Sequence, residues 1–179
     1  ITMDTQWHTI ETKGATCTPL SVRVYSGENK VRTPPLVLYL RGGSFLEEGA
    51  ACPELPVAKA LADSGAVVIE ADYSTGSCNE FPAVIDRAFD ALDCLSDSRK
   101  QYGSAKSLLF VAGEEAGGNV AAGLALKARD RMPGKLAGQI LLSPMIDPLM
   151  ASMSFRDADK IGMRQRWAEG WSRYLAKAC

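Results

Sequence analysis

Four short apolar runs, separated by amphipathic stretches, limit what this chain can become. They are Leu36-Val37-Leu38-Tyr39-Leu40, Ala66-Val67-Val68-Ile69-Glu70-Ala71, Leu108-Leu109-Phe110-Val111-Ala112 and Gln139-Ile140-Leu141-Leu142. Each is short and shows little polar alternation, the pattern of a strand covered on both faces. Helical patterns fill the gaps. Residues 54–64 close at Gly65, a natural helix stop. Residues 82–96 open with proline at a helix entrance and place Ile85, Ala88, Phe89, Leu92 and Leu95 on one face. Residues 116–131 carry Val120, Leu124, Ala125 and Ala128, with basic residues near the C-terminal end, where they suit the helix dipole. Strands that alternate with helices in this way are joined by crossovers. The expected fold class is therefore α/β, a three-layer sandwich with a mostly parallel sheet and helices on both faces.

The ends of the chain add to this frame. Residues 7–12 and 20–25 read as an antiparallel pair, the second alternating Leu20, Val22, Val24 against Ser21, Arg23, Tyr25 as a half-exposed strand would. Gly14 and Ser26-Gly27-Glu28-Asn29 supply turns. Residues 157–178 predict one further helix with Trp167, Trp171, Tyr174 and Leu175 along a core or interface stripe, after a loop at Ala151-Ser152-Met153-Ser154.

Composition mainly excludes functions. A net charge of −1 gives no pull toward nucleic acid, and no apolar run approaches the ~20 residues that span a bilayer. Cys17, Cys52, Cys78, Cys94 and Cys179 are irregularly spaced with no Cys-x-x-Cys pair, so no metal site and no cofactor are expected. An odd cysteine count without a secretory signal favours reduced thiols in a cytoplasmic protein, with Cys94 packed in its helix. The single histidine, His8, falls in an expected edge strand, far from every motif below. A Ser-His-Asp or Cys-His site requires an imidazole beside the nucleophile, and the chain offers none.

The chemistry-bearing motif is Gly113-Glu114-Glu115-Ala116-Gly117-Gly118-Asn119, directly after the third apolar run. A buried strand followed by Gly-x-X-x-Gly and a helix is the layout of a nucleophile elbow, which lifts its central residue above the end of a parallel sheet. That central residue is Glu115.

With the elbow placed, the stretch from Pro35 to Asp147 resembles the hormone-sensitive-lipase-like esterases, the α/β-hydrolase subgroup that includes bacterial acetyl esterases. Leu38-Tyr39-Leu40-Arg41-Gly42-Gly43-Ser44-Phe45 resembles the family's strand and His-Gly-Gly-Gly loop. Glu70-Ala71-Asp72-Tyr73 with Phe81-Pro82-Ala83 resembles its Asp-Tyr-Arg segment and downstream Phe-Pro-Ala. Gly113 to Asn119 resembles the Gly-Asp-Ser-Ala-Gly-Gly-Asn elbow, and Leu141-Leu142-Ser143-Pro144-Met145-Ile146-Asp147 the strand end that follows it.

The resemblance implies an ester hydrolase whose attacking atom is replaced. Gly42, Gly43 and Ala116 stand at the oxyanion-hole positions, Glu115 at the nucleophile position, Arg41 at the loop histidine and Ser74 at the arginine. The family's acid and histidine come from two later strands, so residues 1–179 are expected to form a single, truncated α/β-hydrolase domain lacking the last strands. Asp147 follows an earlier strand and is not the triad acid. Glu115, a carboxylate at a helix N-terminus, is expected to plug the oxyanion pocket and leave the site inactive. Arg41 is a candidate to pair with Glu114 or Glu115, and Ser44 and Ser143 are read as loop and capping hydroxyls, since neither has a base. Expected partners are a small acyl ester or another small ligand, with no nucleic acid and no membrane, and self-association is expected through the sheet edge at residues 139–142. Family members that lost triad chemistry serve as ligand receptors. A fragment of a longer esterase-like protein is the alternative reading, and carboxylate- or metal-assisted catalysis a third.

Overall fold

The computed structural model describes residues 6–12, 19–29, 31–46, 54–74 and 80–177. The turn at Gly14 and the cysteines 17, 52, 78 and 179 lie outside the described residues. In chain order the elements are β1 (Trp7–Ile10), β2 (Leu20–Ser26), β3 (Leu36–Leu40), α1 (Pro56–Asp63), β4 (Val67–Ala71), α2 (Ala83–Asp97), α3 (Arg99–Tyr102), β5 (Leu109–Glu114), α4 (Glu115–Arg131) and β6 (Leu136–Leu142). Then follow α5 (Met153–Asp157), a 3₁₀ turn (Ala158–Ile161) and α6 (Met163–Tyr174).

The six strands form one sheet in the order β1-β2-β4-β3-β5-β6. β3 pairs in parallel with β4 and with β5, and β5 with β6, while β1–β2 and β2–β4 are antiparallel. Side chains alternate across β3 and divide the core in two. Leu36, Leu38 and Leu40 face α2 and α4, and the other side joins Val37 and Tyr39 to Ala58 and Ala62 of α1. All five residues of β3 are buried, as expected of a strand with helices on both faces. The three-layer α/β expectation therefore holds. No described helix is long and apolar enough to cross a membrane.

The structure departs from the sequence pattern at four places. β2 is not half exposed: Arg23 and Tyr25 are buried, because both reach the carboxylate of Glu70 on the neighbouring strand. The tail is not one helix. Gly162 takes a left-handed φ of 70° at the start of α6 and separates it from α5 and the 3₁₀ turn, with α5 already beginning inside the expected loop at Met153. The short helix α3 had no periodic signal, since four residues are too few for one. β6 also begins earlier than its apolar run, at Leu136. It is the outer strand of the sheet on that side.

Candidate active site

Strand β5 passes into helix α4 without a loop. Glu114 closes the strand in extended conformation (φ −117°, ψ 146°) and Glu115 opens the helix at φ 50°. That left-handed backbone is rare outside glycine and costs about 1–3 kcal/mol. Such a turn is tight enough to exclude side chains around it. A Cβ on Gly113 would overlap the carbonyl of Gly117, and a Cβ on Gly117 would overlap the carbonyls of Leu40 and Arg41. The two glycines of Gly-x-X-x-Gly are thus required by close backbone approach, one within the elbow and one against the end of β3. The Glu115 carbonyl accepts from the Met145 N–H at 2.9 Å, and Asn119 Nδ2 donates to the Met145 carbonyl at 2.8 Å, which ties the elbow to the segment after β6.

The Glu115 carboxylate points into the glycine loop. Oε2 accepts from the Gly43 N–H at 2.8 Å and the Ser44 N–H at 3.1 Å. Oε1 accepts from Ser44 Oγ at 2.7 Å and from Trp167 Nε1 of α6 at 2.7 Å. Arg166 Nε donates to Ser44 Oγ at 3.2 Å. A guanidinium has no acceptor, so this contact leaves the single Ser44 hydroxyl proton to point at Glu115. Burial pushes the Glu115 pKa up, but hydrogen bonds from the Ser44 hydroxyl, the Gly43 N–H, Trp167 and the Ser44 N–H outweigh it and hold the group below the usual carboxylate value. The ionised form is the one this seat selects.

Arg41, at the start of the glycine loop, turns to a different carboxylate from the one expected. Its Nε and Nη2 both lie 2.8 Å from Glu70 Oε1. Arg23 holds the other oxygen through Nε (2.9 Å) and Nη2 (2.7 Å), joined by the Tyr25 hydroxyl at 2.7 Å. Burial, assisted by the Glu70 charge, pushes the Tyr25 pKa up to about 12, so the phenol keeps its proton and donates. The register explains the choice. Tyr39 lies opposite Glu70 in the parallel β3–β4 pair, which places the Arg41 stem beside the end of β4. The Arg41 carbonyl in turn accepts from the Tyr73 hydroxyl at 2.5 Å. Burial, together with the nearby Glu115 charge, raises the Tyr73 pKa and keeps that donor protonated.

A cleft of about 670 Å³ opens over this arrangement, lined among others by Arg41, Gly43, Glu114, Glu115, Ser143 and Arg166. Glu114 Oε2 accepts from the Tyr39 hydroxyl at 3.2 Å. Of the residues at the expected oxyanion-hole positions, Gly43 gives its N–H to Glu115, and the Ser44 N–H joins it on the same oxygen. Gly42 instead lies against the Glu115 side chain, where a Cβ would come within 2.9 Å of Oε2. Ala116, the third of these positions, is buried. Asp147 caps the turn after β6 by accepting from the Leu149 and Ala151 N–H groups, a structural role. His8 pairs within β1, four strand positions from β5 and hence roughly 19 Å across the sheet, so it does not reach the elbow. Among the described residues no group of three or more His, Cys, Asp or Glu is arranged to hold a metal ion. Trp167 and Arg166 were not legible as site residues. Helical spacing gave Trp167 to an apolar stripe, and only its indole donor hinted at more.

A family model described as alpha/beta hydrolase fold matches residues 37–178. Carboxylesterase NlhH of Mycobacterium tuberculosis is 34% identical over 128 residues, which cover 71% of this chain and 40% of that one. A gibberellin receptor of Arabidopsis thaliana is 29% identical over 115 residues, covering 62% of this chain and 33% of the receptor. Among solved structures, an esterase of Pyrobaculum calidifontis superposes with a TM-score of 0.78 at 28% identity, over 96% of this chain and 57% of that one. Brefeldin A esterase, a bacterial homologue of human hormone-sensitive lipase, shares the fold at a TM-score of 0.77 and 19% identity, over 97% of this chain and 51% of its own. The chain thus spans less than half the length of the curated relatives it matches.

Proposed function

This chain belongs to the α/β-hydrolase family, and from that premise we propose that it is a pseudo-hydrolase of the hormone-sensitive-lipase-like esterase branch whose cleft binds a small ligand without turning it over. The observation that carries the reading is the fourfold hydrogen bonding of the Glu115 carboxylate by Gly43, Ser44 and Trp167. Acyl transfer needs an activated nucleophile, a base to take its proton and an empty seat for the developing oxyanion. Here one side chain stands at the nucleophile position and also fills the seat. Its lone pairs are engaged by four donors and its basicity is lowered, so it is a poor attacking group. No described imidazole is in reach to activate water against an acyl-enzyme. A cleft of about 670 Å³ falls within the size range of small-molecule sites, and a small acyl ester or a related ligand fits its mixed lining.

The test is hydrolysis of p-nitrophenyl acetate and butyrate by the purified chain and by Glu115→Ala and Glu115→Ser. All three are expected at the buffer rate: the parent and Glu115→Ala lack the hydroxyl, whose loss alone costs subtilisin about 10⁶-fold, and in Glu115→Ser no described imidazole is in reach to take its proton. Turnover well above buffer in the parent that disappears in Glu115→Ala would overturn the reading.

A second reading, part of a longer esterase-like protein, is favoured by the outer position of β6 and by the 40% coverage of the carboxylesterase. In that case the site would be completed by further strands. A coding sequence that continues past Cys179 into two more strand–helix units, one carrying a histidine, supports it; a stop codon there removes it.

A further inference from the structure

The four donors that hold Glu115 come from places remote in sequence. Gly43 and Ser44 precede it by 72 and 71 residues, and Trp167 follows it by 52. The seat is therefore assembled by the fold and not by the turn that carries Glu115. It presents two backbone N–H groups to one oxygen and a hydroxyl and an indole N–H to the other. That is four donors for the four lone-pair positions of a carboxylate. Each donor is confined to donating. Arg166 fixes the direction of the Ser44 hydroxyl, and Ser44 itself is 1% exposed. The Ser44 backbone, at φ 57°, is held in the left-handed region that aims its N–H and hydroxyl at the same group. The packing of α6 is equally tight, since a Cβ on Gly170 would overlap the Ser44 carbonyl, so Trp167 is delivered on a helix seated directly on the loop.

We infer that this cradle is a receptor for small aliphatic monocarboxylates, with Glu115 as its tethered resident ligand. The inference rests on the plugged-site reading but concerns the recognition chemistry of the seat and not its catalysis. The tether supplies only a connection. Cutting Glu115 back to alanine removes the atoms of CH₂–COO⁻, which acetate replaces almost atom for atom. Cutting it to glycine removes one carbon more, which propionate replaces, and also relieves the left-handed backbone at position 115. A phosphate or sulfate does not match the seat, because a tetrahedral anion brings more oxygens than the two that the donors address. A neutral amide of the same shape presents N–H to two of the donors and is rejected.

The experiment uses the full chain and measures thermal unfolding at constant ionic strength against sodium acetate, propionate, acetamide and chloride. Wild type is expected to be indifferent to all four. Glu115→Ala should gain about 3–6 °C when acetate reaches tenfold over its Kd, with no response to acetamide or chloride. Glu115→Gly should prefer propionate to acetate. Adding Trp167→Phe to Glu115→Ala should weaken the acetate response, since the indole N–H is one of the four donors. Equal acetate shifts in wild type and variant, or a response to chloride as large as to acetate, would overturn the inference. The same follows if neither variant is stabilised, or if neither folds even in saturating carboxylate. Failure here with the ester assay still at background leaves the plugged-site reading intact; ester turnover by the wild type fells that reading while acetate binding to the variants stands or falls separately.

Discussion

Glu70→Gln offers the sharpest probe of how the glycine loop is held. Glu70 is fully buried, and its two oxygens meet two guanidinium groups and a phenol: Arg23 and Tyr25 on Oε2, Arg41 on Oε1. Glutamine keeps the shape, but one oxygen becomes an NH₂ that faces N–H or O–H donors on whichever side it lies. It also leaves one buried cation, Arg23, and one half-buried cation, Arg41, with no opposing charge from this residue. Removing one partner of a buried ion pair costs about 3–5 kcal/mol, a large share of the ~5–15 kcal/mol by which a domain is stable. For a domain of this size, about 2–4 °C per kcal/mol converts the loss into a fall of roughly 6–20 °C in the unfolding midpoint. Urea denaturation monitored by tryptophan fluorescence gives the free energy directly, and an unchanged m-value would show that the unfolded reference had not shifted. The loop should loosen as well, because Arg41 spans the network and, through its carbonyl, the Tyr73 hydroxyl. A loss below about 1 kcal/mol would place these contacts with exposed surface pairs and refute the claim that they anchor the loop.

Gly117→Ala drives a Cβ into the Leu40 and Arg41 carbonyls and should leave little folded protein, whereas Gly134→Ala, which meets no atom within 4 Å, should only strain its φ of +74°; circular dichroism of the two separates elbow packing from glycine loss in general. Glu115 has a folded-state pKa below its unfolded value of 4.5, so the unfolded chain binds the proton first on acidification. Its contribution is complete at pH values above 4.5 and is lost as pH falls through the folded value; the stability difference between the parent and Glu115→Gln should therefore shrink below pH 4.5, read by urea titrations across pH 3–7. We propose that copies of the chain pair along the outer strand β6, which carries no charge along Leu136–Leu142: the parent should then associate with rising concentration in analytical ultracentrifugation, and Gln139→Lys, at an exposed position of that strand, should reduce it.

The sheet was legible because burial on two faces leaves a signature in composition. Leu36–Leu40 could be nothing but apolar once helices cover both sides, and the elbow glycines could be nothing but glycine once backbone carbonyls press on them. What stayed hidden was polar and non-local. Arg23 alternated with Val22 as a solvent-facing residue would, but its burial depends on Glu70, 47 residues away. Arg41 could be placed beside two carboxylates by motif alone, and only the β3–β4 register chose a third. Trp167 looked apolar by spacing because periodicity weighs a side chain as a whole and is blind to the one N–H that binds Glu115.

Strain in this chain collects where chemistry would be performed. Five described residues other than glycine have positive φ; three of them, Ser44, Glu115 and Ser143, line the cleft, and a fourth, Phe45, follows Ser44 in the glycine loop. At about 1–3 kcal/mol each, such conformations persist only where surrounding structure fixes them. Here the fixing contacts can be named: the Glu70 network behind Arg41, the stacking of Phe45 on Tyr174 at 4.2 Å, and the carboxylate bridge from Glu115 to Ser44 and Trp167. Two of these three cross to α6, and one passes through Glu115 itself. On the plugged-site reading proposed above, Glu115 therefore does more than stand where a hydroxyl would. Its four hydrogen bonds offset the strain of the left-handed backbone at Ser44 and Glu115, and the more firmly they hold the loop, the less the seat could open to an incoming carbonyl.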